Sequence, residues 1–176
     1  MRELTETIRR KIREIQLVAM DVDGVLTDGG MYYSETGDEI KKFHARDGMG
    51  IKLLQGAGII TAFVTSEQTN LVQRRGDRLK VPEIHQGTFE KKNVLSELCV
   101  KYNLGMHDVA FIGDDVNDLD ALKHVGFSVA PADACVCLSL SDAATLSIWI
   151  RIFSASETLF SVSEPKFVSE SVVLHF

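Results

Sequence analysis

Cysteine is scarce in this chain, and the three present, Cys99, Cys135 and Cys137, are too few and too oddly placed for a disulfide framework. Cys135-Val136-Cys137 has the spacing of half a metal site, yet no matching His/Cys pair follows it. The three read as small apolar residues in a reduced compartment. An excess of basic residues is also missing. With 19 Lys+Arg against 25 Asp+Glu the net charge is -6, which argues against a nucleic-acid partner. An anionic small substrate stays compatible, because a local cationic site can sit in an acidic protein. The opening residues Met1-Arg2-Glu3-Leu4-Thr5-Glu6 hold no apolar signal-peptide core. A membrane-spanning run is lacking too, since Asp142, Arg151 and several serines interrupt the stretch from Cys135 to Phe153. The expectation is a cytoplasmic chain that binds neither nucleic acid nor membrane, its 176 residues being enough for one domain with a full core.

What is present begins with Leu17-Val18-Ala19-Met20-Asp21-Val22-Asp23-Gly24, an apolar run of strand length that ends in two aspartates. Before it, Leu4, Ile8, Ile12 and Ile15 stand at helical spacing among charges. They predict an amphipathic helix over about residues 4–14 that docks on the domain or on a neighbouring subunit. After it, Met31-Tyr32-Tyr33-Ser34 and Ile40-Lys41-Lys42-Phe43 flank a turn at Glu35-Thr36-Gly37-Asp38 and predict a hairpin that overhangs the aspartates. Apolar strands then alternate with helices. The strands are near 59–64, 81–86, 109–112 and 126–130, and several end in polar residues. That pattern predicts an α/β fold, a doubly wound parallel sheet covered on both faces. The expected organisation is a core over 1–134, including the flap at 28–43, and an atypical serine-rich tail over 135–176.

Three strand ends carry groups suited to chemistry. They are Asp21 and Asp23, then Thr65, then Asp114 and Asp115, with Lys91 or Lys92 opening an intervening helix. Singly, each has a plain structural reading: an Asp-x-Asp loop, a Thr65 helix cap, a solvated lysine, a Gly-Asp-Asp turn. Together and in order they point to one edge of the sheet. Clustered carboxylates there hold protons unless a cation neutralises them, and oxygen donors without a His/Cys cluster select Mg²⁺. A carboxylate beside that ion can attack phosphorus. Thr65 and a lysine can hold phosphate oxygens, and a second carboxyl two residues on can move the proton of the leaving alcohol.

In these motifs the sequence resembles the haloacid dehalogenase superfamily of phosphotransferases. Asp21-Val22-Asp23-Gly24-Val25 stands for its first motif, Thr65 for the second, Lys91 for the third, and Gly113-Asp114-Asp115-Val116-Asn117-Asp118 for the fourth. The resemblance implies Asp21 as nucleophile and Asp23 as general acid/base. It implies Mg²⁺ on Asp21, the backbone carbonyl of Asp23, and Asp114, with Asp115 and Asp118 as supporting acids. Lys91 is preferred over Lys92 from its spacing to Gln86-Gly87. Gly24-Val25-Leu26-Thr27-Asp28-Gly29, the hairpin, Arg46-Asp47-Gly48-Met49-Gly50-Ile51 and Val129-Ala130-Pro131-Ala132-Asp133-Ala134 look like the capless 3-deoxy-D-manno-octulosonate 8-phosphate phosphatase group. That branch implies a small phosphorylated sugar-acid substrate and a homotetramer.

Thr65-Ser66-Glu67 departs from the Thr-Gly-Arg of the octulosonate branch. It looks more like phosphatases of nine-carbon acids, the deaminoneuraminate or N-acetylneuraminate 9-phosphates. Ser66, Glu67, Arg75 and Arg78 are the expected substrate contacts, and for either arginine an exposed, solvated helix face is the competing reading. After Asp142 nothing resembles the Gly-Gly-x-Gly turn and Arg-Glu helix of the group, so a frameshifted or wholly divergent C-terminus is expected. Two rival functions are a receiver domain and a non-catalytic oligomerisation module like the one fused to vertebrate acylneuraminate cytidylyltransferases. Asp23-Gly24 disfavours the first. Retention of Asp21, Asp23, Lys91 and Asp114 disfavours the second.

Overall fold

Apolar runs bounded by turn residues form strands, and the charged segments between them with apolar periodicity form helices. The computed structural model describes residues 6–140 and 148–150. Its elements are α1 (Glu6–Glu14), β1 (Leu17–Met20), β2 (Tyr32–Tyr33), β3 (Glu39–Ile40), α2 (Ala45–Gly56), β4 (Ile60–Val64) and α3 (Asn70–Leu79). There follow β5 (Glu83–His85), α4 (Lys91–Tyr102), β6 (Val109–Ile112), α5 (Leu119–His124), β7 (Phe127–Pro131), α6 (Val136–Leu140) and β8 (Ile148–Ile150). A 3-10 turn at Val116–Asp118 leads into α5.

Six strands pair in the order β5-β4-β1-β6-β7-β8, each pair parallel. Strand periodicity sends alternate residues of β1 to opposite faces. Val18 and Met20 pack with Ile8, Ile51, Phe63 and Val72. Leu17 and Ala19 pack with Ala62, Val64, Leu95, Leu98 and Phe111. Both faces are therefore core, as an α/β doubly wound sheet requires. Burying each of the larger side chains stabilises by about 1.5–3 kcal/mol. Ile8 of α1 is fully buried in the first of these clusters, so the helix docks on its own sheet; Leu4 lies outside the described residues.

The chain builds β4 and β5 on one side of β1, then β6, β7 and β8 on the other. The C-terminal end of β1 is thus a topological switch point, where loops diverge and leave a crevice. Register levels the strand ends: Met20 lies opposite both Phe63 and Ile112.

The hairpin is shorter than its alternation predicts, pairing only Tyr32 with Ile40 and Tyr33 with Glu39. All four residues are exposed, so no buried face extends the ladder. Phe43 instead bridges antiparallel to Thr27 and ties the flap to the loop after Asp23. Beyond residue 134 the structure adds α6 and the parallel edge strand β8, which pairs with β7; neither has a clear periodicity in a serine-rich segment. Cys135 and Cys137 lie side by side at the start of α6, their Cα atoms 5.3 Å apart. The expected frameshifted or divergent tail after Asp142 falls outside the described residues, apart from β8. Among the described residues, no helix is long and apolar enough to cross a membrane.

Candidate active site

The switch point collects the strand-end residues. Asp21 follows β1 and its amide donates to the Ile112 carbonyl of β6 at 2.9 Å. Thr65 follows β4, and its amide donates to the His85 carbonyl at 2.9 Å. Asp114 follows β6, and Lys91 is the first residue of α4. Asp21, Thr65, Lys91 and Asp118 are all buried. One oxygen from each of Asp21, Asp114 and Asp118 falls within 4.8 Å of the others.

Lys91 organises this cluster. Its ammonium contacts Asp21 Oδ2 at 2.8 Å and Asp118 Oδ1 at 2.6 Å, with the side chain fully buried. The neighbouring Lys92 stays partly exposed, 3.8 Å from Asp120. Asp118 also accepts from the amides of Asp114 at 2.9 Å and Asp115 at 3.3 Å through Oδ2. Both Asp118 oxygens are therefore occupied, and its part is to hold Lys91 and shape the loop. Asp115 is exposed and caps the 3-10 turn, accepting from the Val116 amide at 2.7 Å.

Three carboxylates against one ammonium leave the centre electron-rich. Burial, then the charges of Asp21, Asp118 and Asp115, push Asp114 up to about 7 despite Lys91. Burial and then Asp118 push Asp21 up to about 6, against the pull of Lys91 and the Val22 amide. Asp114 Oδ1 is buried without a partner among the described residues. Gly24 has φ +83°, and a Cβ built there would stand 1.9 Å from Asp114 Oδ2, so only glycine lets the first loop lie this close to that acid. An orphaned carboxylate oxygen, acids forced toward protonation and an all-oxygen donor set fit a hard divalent cation. Asp21 and Asp114, with Asp118 beside them, offer the oxygens that could hold it.

Around Asp23 a second arrangement appears that sequence reasoning missed. Lys41, just after β3, donates to Asp23 Oδ1 at 2.5 Å and to Glu67 Oε2 at 2.6 Å. Burial works against its charge, but the bonds to the two carboxylates and their charges hold Lys41 above the usual lysine range. Thr27 Oγ1 also donates to Asp23 Oδ1, at 3.4 Å, while Asp23 Oδ2 is buried and has no partner among the described residues. A lysine in a predicted flap strand gave no signal beyond its position over the aspartates.

The substrate-contact expectations divide. Ser66 accepts from Asn117 Nδ2 at 3.4 Å, and Glu67 reaches Lys41, so both belong to the crevice. Arg75 donates to the His44 carbonyl at 2.9 Å and lies 5.4 Å from the centroid of the Phe43 ring. It thereby joins α3 to the start of α2. Arg78 is exposed. Thr69, not Thr65, caps α3, accepting from the Leu71 amide at 3.2 Å. A cavity of about 330 Å³ opens beside Lys91, lined by Phe89, Lys92, Asn93 and Asn117 among others.

A family profile described as haloacid dehalogenase-like hydrolase matches residues 63–136. The 3-deoxy-D-manno-octulosonate 8-phosphate phosphatase of Escherichia coli (strain B / BL21-DE3) is 38% identical over 127 residues, 72% of this chain and 68% of the relative. That of Haemophilus influenzae is 39% identical over 127 residues, covering 72% and 71%. Among solved structures, the Moraxella catarrhalis phosphatase in complex with magnesium ion, phosphate ion and KDO superposes with a TM-score of 0.75. It is 36% identical, with 79% of this chain and 80% of that one covered. The cobalt-bound Haemophilus influenzae phosphatase gives a TM-score of 0.72 at 36% identity, with 78% and 80% covered. With these likenesses laid over the acids at the switch point, the chain belongs to the haloacid dehalogenase-like hydrolases, in the 3-deoxy-D-manno-octulosonate 8-phosphate phosphatase group, and is a phosphomonoester hydrolase with Mg²⁺ as its cofactor.

Proposed function

We propose that this phosphatase removes the phosphate of a 3-deoxy-2-ulosonic acid phosphate through an aspartyl-phosphate on Asp21. The observation that carries the reading is the lone Lys91 ammonium set between Asp21 and Asp118, with the orphaned oxygen of Asp114 beside them. Such a centre holds an anionic nucleophile and accepts a dianionic phosphate only with added positive charge. Asp21, Asp114 and the Asp23 carbonyl would hold Mg²⁺, which would supply that charge and screen nucleophile from phosphate.

Asp21 sits at the end of a rigid central strand and attacks phosphorus while Lys91 fixes its carboxylate. Thr65 and Lys91 hold the phosphate oxygens in this reading. Asp23 donates a proton to the departing alkoxide. It then takes one from the water that cleaves the acyl-phosphate, which frees inorganic phosphate and restores Asp21.

The relatives named for 3-deoxy-D-manno-octulosonate 8-phosphate support an eight-carbon substrate. Glu67, in the crevice beside Asp23 through Lys41, supports the nine-carbon deaminoneuraminate or N-acetylneuraminate 9-phosphates. A homotetramer accords with the exposed flap residues Met31, Tyr32, Tyr33 and Ile40, and light scattering measures it. Phosphate release from a panel of eight- and nine-carbon ulosonate phosphates, with and without Mg²⁺, tests the function. Turnover of at least one member is expected to depend on Mg²⁺ and on Asp21. Silence on the whole panel would favour the non-catalytic oligomerisation module.

A further inference from the structure

We propose that Lys41 of the flap is a positioning residue for proton transfer. It holds one oxygen of Asp23 and leaves the other free to serve the leaving group. The inference rests on the reading of Asp23 as general acid/base and adds to it a residue supplied by the hairpin.

Two tethers place Lys41. It follows β3 directly, and two residues on, Phe43 bridges back to Thr27. In an extended segment neighbouring side chains take opposite sides. The Lys42 side chain is 70% exposed and pairs with Asp28, whereas that of Lys41 is 4% exposed. Removing an ammonium from water is costly unless carboxylates receive it, and here two do, Asp23 from the β1 loop and Glu67 from the β4 loop.

The bonding around Asp23 is lopsided. Lys41 and Thr27 both donate to Oδ1, and Oδ2 is buried with no partner among the described residues. A carboxyl that must pass a proton in one direction needs a fixed plane and one unengaged oxygen. Lys41 and Thr27 fix the plane, and Oδ2 is the unengaged oxygen. Because Lys41 comes from the flap, the acid is oriented only while the flap lies over the crevice. A lysine that merely pinned the flap down would have no reason to leave this asymmetry, and its loss would slow every substrate alike.

The test compares leaving groups. Phosphate release by the wild type, Lys41→Met and Lys41→Arg is measured on p-nitrophenyl phosphate and on 3-deoxy-D-manno-octulosonate 8-phosphate, whose departing alkoxide needs a proton. Lys41→Met is expected to lose roughly 100-fold in kcat on the alkyl ester and less than about 5-fold on the aryl ester, as for loss of general-acid help. Lys41→Arg, which keeps the charge, recovers most of the alkyl rate. In an Asp23→Asn background Lys41→Met adds less than about 3-fold on the alkyl ester, since it acts through the residue already removed. Equal losses on the two esters, or full additivity with Asp23→Asn, overturn the proposal, and Lys41→Gln takes the place of Lys41→Met if the latter does not fold. Asp23→Asn alone reports on the underlying reading. A loss there that ignores the leaving group removes Asp23 as the acid and this proposal with it. A leaving-group-dependent loss in Asp23→Asn beside a uniform one in Lys41→Met overturns only the role of Lys41.

Discussion

Two lysines in this molecule each bridge two carboxylates, and the likeness between them ends there. Lys91 joins Asp21 to Asp118 at the base of the crevice, its side chain fully buried at the start of α4. Lys41 joins Asp23 to Glu67 from a hairpin whose strands are exposed. The first bridge stands on the sheet and both core faces. The second stands on a short flap held by one backbone bridge. On the proposed roles, the support of the nucleophile is built into the core, and the support of the proton-transfer acid comes from an exposed hairpin.

The largest expected effect breaks the inner bridge chemically. Asp21→Asn is expected to reduce phosphate release on the order of 10⁴-fold or more with little change in the far-ultraviolet circular dichroism; residual turnover near the wild-type rate would remove the covalent mechanism. Breaking the same bridge from the other side tests its structural depth. Lys91→Met leaves Asp21 and Asp118 buried without their ammonium and is expected to cost about 3–5 kcal/mol in urea denaturation. Lys41→Met, whose partners Asp23 and Glu67 keep 27% and 41% side-chain exposure, is expected to cost less, about 1–2 kcal/mol. Similar costs for the two would erase the distinction.

Cation binding sharpens the comparison further. At a free concentration near 100 times its Kd, Mg²⁺ is expected to stabilise the wild type by about 2.7 kcal/mol. Asp114→Asn is expected to lose that gain in a thermal-shift titration, while Lys41→Met keeps it. The smallest effect concerns a carboxylate in neither bridge. Burial pushes Asp47 up to about 6, against the pull of His44 and Arg75. Its charged form is thus penalised in the folded state, and its contribution to stability is whole below about pH 4 and lost as the pH rises through about 6. Asp47→Asn is expected to match the wild type near pH 4 and to be about 1 kcal/mol more stable at pH 7. A difference independent of pH would contradict this.

The inner bridge was more legible in the sequence than the outer one, for a physical reason. Asp21, Thr65 and Asp114 end apolar runs, and a run of strand length that stops at a polar residue marks both an element and its functional end. Lys91 stood out as the opening of a helix, though its choice over Lys92 needed a family spacing. Lys41 carried no such mark, because a two-residue ladder with both faces exposed leaves no periodicity from which an inward side chain can be picked. Arg75 was visible as a charge on a helix, but its bond to the His44 carbonyl and its place against Phe43 depend on how α3 meets α2. Edge strand β8 went unseen because its pairing is supplied by β7 and by nothing in its own pattern.

The central place of β1 also sets an order of assembly. Leu17 lies against Ile60 on one side and Val109 on the other, so the strand that bears Asp21 is the first of the sheet to be made and is flanked on both sides only when β6 arrives. While the chain is being synthesised, Asp21 and Thr65 can find each other before Asp114 exists. The first half of the crevice then waits with exposed apolar edges for β6 to arrive. Long-range parallel pairing of this kind is slow and prone to aggregation. For this phosphatase, Asp114 can join Asp21 only once β6 has closed the last open edge of β1.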